Sequence, residues 1–148
     1  MNKVKREFKV EIIFALNNFF MLKIGLLLLG GAIGTLVRYL LSGWTHKMVE
    51  TTFPVGTLMV NLAGSFLIGL LWGLTEEQRF SSNLRMFVFV GLFGGFTTFS
   101  TFSLETMHML KEGANAMAIT NILVSNIGGI ALVFLGLFLG RFVVTLSR

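Results

Sequence analysis

The sequence contains no cysteine and no aspartate, and its single proline is Pro54. The missing cysteines exclude a disulfide framework, a thiolate nucleophile and a cysteine-bound metal. Charge is scarce as well: 13% of the 148 residues are charged and 54% are hydrophobic. An ordinary soluble domain of this size needs a charged shell, so this balance excludes one and makes the bilayer the natural solvent. The long apolar runs also lack Asp, Glu or His at their centres. Proton-coupled transport normally requires such a group. No nucleophile, base and orienting acid can be assembled there either, so enzymatic catalysis is not expected.

What is present is hydrophobic length. A spanning helix needs about 20 apolar residues, because each residue rises about 1.5 Å across roughly 30 Å of hydrocarbon. Runs at Ile24 to Leu41, Val55 to Leu74, Met86 to Met107 and Ala116 to Val144 meet that test. The expected architecture is an all-α integral membrane protein with four transmembrane helices and short loops, the first loop spanning Ser42 to Pro54. His46 and His108 are expected in loops; two isolated histidines make a weak metal site.

Lys and Arg number 12 against seven acids. In a membrane chain such a surplus flanks the spans at the lipid headgroups, so no nucleic-acid partner is expected. An even number of spans puts Lys3, Lys5, Arg6, Lys9, Lys23, Arg79, Arg85, Arg141 and Arg148 on one side, and Arg38, Lys47 and Lys111 on the other. Setting aside Lys3, Lys5, Arg6 and Lys9, the bias is slight, and a chain that inserts both ways is compatible with it. Residues 1–20 read poorly as a signal peptide, because Asn17 and Asn18 interrupt the apolar part. They are an interfacial helix or an over-extended start before a four-span domain at 21–148, with Met21 the favoured beginning.

Glycines recur four apart at Gly30 and Gly34, Gly69 and Gly73, Gly91 and Gly95, and Gly136 and Gly140. Small residues at that interval let lipid-immersed helices approach closely. So small a four-helix chain has little room for a pathway of its own, and any pathway needs a second subunit.

The most informative stretch is GLFGGFTTFSTFSLE, Gly91 to Glu105. Gly94 and Gly95 followed by Thr97 and Thr98 put flexible backbone and competing hydroxyls at mid-span, which favours a break in the third helix. An unwound turn at that depth survives only facing protein, water or an ion. Beyond it, Phe99 and Phe102 share a helix face, with Ser100, Thr101 and Ser103 around them. Phenyl edges carry positive charge and favour a desolvated anion, although such pairs also serve as plain packing. On the second span Thr57, Asn61 and Ser65 form one polar stripe, and the Asn61 amide must find a partner, either an anion or a neighbouring helix. The fourth span repeats the pattern with Thr120, Asn121, Ser125 and Asn126, while Glu105 and Arg38 lie near span ends, where they can line a mouth or pair.

Three motifs, GGAIGTLVRY at 30–39, GTLMVNLAGSF at 56–66 and GGFTTFSTFS at 94–103, resemble the small fluoride channel family, Fluc or CrcB, over about Leu22 to Arg141. The resemblance implies an antiparallel, dual-topology homodimer with two pores that pass fluoride passively out of the cytoplasm across the cell membrane. It implies that Asn61 donates to fluoride, that Phe99 and Phe102 line the pore, that Ser100, Thr101 and Ser103 belong to the adjoining hydroxyl-bearing helix, and that Ser125 contributes to the pore. Arg38 would serve the aqueous vestibule, and backbone carbonyls of Gly94 and Thr97 would hold a structural sodium ion (Na+) at the dimer interface. The chain departs from the family at Asn121, where a tyrosine is common, which puts a hydrogen-bonding role at that position in doubt. The rival readings are a proton-coupled cation exporter and a structural membrane subunit whose polar residues only join helices.

Overall fold

A computed structural model describes the backbone of residues 3–48, 51–75 and 80–147 and the side chains of 19–45, 51–75 and 80–147. Among the described residues, four helical stretches are long and apolar enough to cross a membrane: Phe19–Thr45, Val55–Thr75, Ser82–Lys111 and Asn115–Leu146. Their large apolar side chains point outward in number; Phe138 is 76% exposed and Leu28 67%. Lipid covers such surfaces in a membrane chain, so exposure there carries no aqueous cost.

The first span is part of one helix, Lys3–Met48. It continues past Leu41 into the stretch expected as a loop. Nothing in that stretch stops it: Gly43 stands in open space, and the Thr45 hydroxyl donates back to the Ser42 carbonyl at 2.8 Å. The helix has ended by Pro54, whose carbonyl accepts from the Leu58 amide as the second span starts. His46 is therefore on a helix, with its side chain outside the described residues, and His108 is on the helix Phe99–Lys111 rather than in a loop. The backbone of residues 3–20 is helical and joins the first span without interruption. Their side chains before Phe19 lie outside the described residues, and so does the comparison of the two readings of that stretch.

Glycine fixes how the spans pair. A methyl group added at Gly136 would strike the Phe66 carbonyl, one at Gly69 the Val133 carbonyl, and one at Gly140 the Leu70 carbonyl. Equivalent additions at Gly30, Gly34 and Gly95 would strike Phe87, Leu92 and Gly31 carbonyls. The second span thus packs backbone to backbone with the fourth, and the first with the third, each pair running parallel in register. Gly136→Ala is expected to cost about 1–3 kcal/mol, because the obstacle is main chain and the helices must part. Thermal unfolding in detergent checks this, with Gly43→Ala, a change into open space, as the control that leaves the melting temperature unchanged or raised.

The third span is bent. It widens to a π-helical stretch at Met86–Leu92, returns to α over Phe93–Phe96, and opens at Thr97 and Thr98, both extended (ψ 155° and 112°). Gly94 and Gly95 themselves stay helical, so the break falls just after them, at the threonines. Thr98 then caps the second arm, Phe99–Lys111, accepting the Thr101 amide on its hydroxyl at 3.2 Å. That arm ends at Gly113, whose φ of 76° lies in the left-handed region where a side chain is disfavoured. The buried core under the break is Val60, Phe93 and Phe96.

Candidate functional site

The broken third span presses against the polar stripe of the second. The Thr98 amide donates to Asn61 Oδ1 at 2.8 Å, and Asn61 Nδ2 donates back to the Thr98 carbonyl at 3.1 Å. One side-chain amide thus gives the Thr98 N–H the acceptor it lost at the break and adds a donor to the carbonyl of the same cap residue, as an apolar setting demands. The NH2 group of Asn61 keeps a second hydrogen for another acceptor. One turn earlier, Thr57 donates to Glu105 Oε1 at 2.7 Å.

The rerouted amides leave carbonyls behind. In a continuing helix the Thr98 amide would serve Gly94 and the Thr101 amide would serve Thr97; here they go to Asn61 and to the Thr98 hydroxyl. Gly94 is exposed with open space around it. Neutral carbonyl oxygens of this kind form the donor set that replaces the hydration of an alkali cation, so Gly94 and Thr97 fit a sodium ion chemically. The Gly95 carbonyl is occupied otherwise: Arg38 Nε donates to it at 3.1 Å. Arg38, expected near a vestibule, is thus placed at the break, where a half-buried cation faces a carbonyl with no helical donor.

A groove of about 350 Å³ opens beside the break. Asn61, Phe99, Phe102 and Ser125 all line it, together with Gly94 and Thr97. The two phenyl rings are in contact, centroids 5.4 Å apart and inclined by 45°. Their settings differ: Phe102 is 7% exposed and Phe99 74%. Ser100, Thr101 and Ser103 lie outside the groove wall. Thr101 accepts from the Thr98 hydroxyl at 2.9 Å, Ser100 is 3.4 Å from the same hydroxyl, and Ser103 donates to its own helix at Phe99. Sequence pattern missed the apolar remainder of the wall, Ile68, Phe89 and Phe93, because ring and aliphatic residues carry no polar signal in a span.

Asn121 does form hydrogen bonds within the protein. Where its departure from the family put hydrogen bonding in doubt, the side chain is buried to 1% exposure and donates to Thr106 Oγ1 at 2.9 Å. Thr106 donates in turn to the Phe102 carbonyl at 2.8 Å, and Ser125 donates to Asn121 Oδ1 at 3.4 Å. The signal available in sequence was the interval of four between Asn121 and Ser125, which puts them on one helix face.

The family described as "CrcB-like protein, Camphor Resistance (CrcB)" matches residues 25–137. A relative in Parabacteroides distasonis, named fluoride-specific ion channel FluC, is 49% identical over 128 residues, covering 86% of this chain and 100% of its own length. Relatives of the same name in Agrobacterium fabrum and Salinibacter ruber are 46% and 47% identical, covering 82% and 78% of this chain and 98% and 87% of their own lengths. The match takes in every groove residue from Asn61 to Ser125, and the chain, a multi-pass membrane protein, belongs to the CrcB-like family.

Proposed function

We propose that this protein is a fluoride-selective channel, working as an antiparallel, dual-topology homodimer with two pores and passing fluoride passively out of the cytoplasm across the cell membrane. The observation that carries this reading is the groove in which Asn61, Phe99, Phe102 and Ser125 converge. Named fluoride-specific relatives covering most of the chain support it.

Fluoride is small and strongly hydrated, so a selective path must replace water with close donors. The remaining N–H of Asn61 and the Ser125 hydroxyl supply two, and the phenyl edges supply positive charge without a counter-proton. Width then excludes larger halides. A second copy is the element that closes the groove: Phe99, largely exposed in one protomer, and the open Gly94 would both be covered by it. The Gly94 and Thr97 carbonyls of the two copies would hold the structural sodium ion there, which neutralises their converging dipoles when bound. Passive flow follows from the absence of a mid-span carboxylate in the sequence, which a proton-coupled exporter would need.

Purified protein in liposomes loaded with fluoride, beside a chloride control, tests the reading. Fast fluoride loss with negligible chloride loss is expected; no fluoride loss from well-folded dimers would leave a structural subunit in which Asn61 only joins helices. Replacing sodium by a large organic cation is expected to lower the melting temperature of the dimer. Unchanged melting removes the ion from the reading.

A further inference from the structure

Hydroxyls in these spans mostly return to their own helix. Thr97, Ser103, Thr106 and Thr145 each donate to the carbonyl four residues back, at 2.9, 2.9, 2.8 and 3.0 Å. Such back-bonding is the usual fate of a serine or threonine in an apolar helix. Ser125 is different. Its hydroxyl leaves the backbone and donates to the side chain of Asn121, at a long 3.4 Å, while its residue lines the groove.

The direction of the chain of bonds around Asn121 is forced by its chemistry. Thr106 gives its proton to the Phe102 carbonyl, so its oxygen must accept, and only the NH2 end of Asn121 can donate to it. Oδ1 is then the end turned to Ser125, and Ser125 must be the donor. Every link but the last is of ordinary length. The buried amide is therefore anchored at one end and offers a weak acceptor at the other.

We propose that Asn121 is a positioning residue for the anion path: it draws the Ser125 hydroxyl off its own helix and holds it by a bond weak enough to be exchanged for an anion in the groove. With the groove empty the Ser125 proton rests on Asn121 Oδ1; with an anion present it turns to the anion, and no other bond of the network is disturbed. Without the amide the hydroxyl falls back on a helix carbonyl at normal length and is withdrawn. The inference deepens the fluoride reading and rests on it.

The test is a double-mutant cycle on the full-length protein in liposomes, with the rate of fluoride efflux measured against fluoride concentration for wild type, Asn121→Leu, Ser125→Ala and the double variant. Loss of one charge-assisted hydrogen bond to the ion is expected to raise the half-saturating fluoride concentration about tenfold or more in either single variant. The double variant is expected to show no further rise, because both changes remove the same donor. A merely structural role lowers the maximal rate and leaves half-saturation alone. Unchanged half-saturation in Asn121→Leu, or a double variant whose rise is the product of the two, overturns the inference. Should Asn121→Leu fail to fold, Asn121→Ser, polar but too short to reach Ser125, enters the same cycle with the same expectations. A conducting wild type with an additive cycle removes only the role of Asn121, whereas a wild type that passes no fluoride removes the channel reading and this inference with it.

Discussion

Phe99→Ile is expected to lower fluoride efflux from liposomes by about tenfold or more, the rate equivalent of losing roughly 1–2 kcal/mol of ring-edge stabilisation from a dehydrated ion, and to leave the oligomeric state unchanged. The same loss of flux is expected of Phe102→Ile. The two variants differ in what else they disturb. Phe102 is buried against its own protomer at 7% exposure, so shortening it also costs about 1–2 kcal/mol of folding stability. Phe99 is 74% exposed in one protomer and contributes little to that protomer's core, which makes its flux the cleaner reading. Ile retains apolar bulk and removes only the aromatic edge. Normal fluoride flux through Phe99→Ile dimers of wild-type size on gel filtration would refute the pore-lining role of the ring.

The contrast between these two phenylalanines shows what a sequence can and cannot convey. Their spacing of three places both on one face of the second arm, and both do line one groove. Which of the two is buried depends on where the arm meets the second and fourth spans, and residue spacing within one helix does not contain that. The four spans were legible because hydrocarbon thickness sets a length and a composition that few other constraints imitate. The break was legible because two glycines and two threonines at mid-span conflict with helix propensity. Its position was not: Gly94 and Gly95 stay helical, since backbone freedom permits a break without requiring one, and the break falls where Thr98 can cap a new helix and Asn61 can serve its peptide. The extension of the first helix to Met48 escaped notice for a related reason. Ser, Gly and Thr at 42–45 read as a loop by composition, yet nothing in that stretch competes with a helix already under way.

Arg38 and Asn121 illustrate a second limit. A cation near a span end reads as a headgroup or vestibule residue, and only the third dimension brings Arg38 to the Gly95 carbonyl. A single asparagine in a span reads as helix glue or as a ligand with equal ease. At Asn121 the amide ties protein to protein at both ends, to Thr106 across the helix pair and to Ser125 along its own span. Asn61 braces Thr98 and also lines the groove, and whether it serves as brace, ligand or both is separable by experiment.

Asn61→Leu is expected to lose stability and conduction together. Leucine keeps the branched shape of asparagine, but it leaves the Thr98 N–H without the acceptor found at 2.8 Å and removes the donor found at 3.1 Å from the Thr98 carbonyl. An orphaned N–H of this kind costs about 1–3 kcal/mol, enough to lower the melting temperature in detergent by several degrees. The same change removes a donor from the groove, so fluoride efflux per folded dimer falls as well. Comparison with Phe99→Ile divides the two consequences, because that variant is expected to lose flux at unchanged melting temperature. Asn61→Leu melting like wild type would mean that the Thr98 peptide finds other partners and that the amide does not hold the break. Asn61→Leu conducting like wild type once folded would mean that the amide is a brace alone, and the groove would then have to select fluoride with Ser125 and the phenyl edges only.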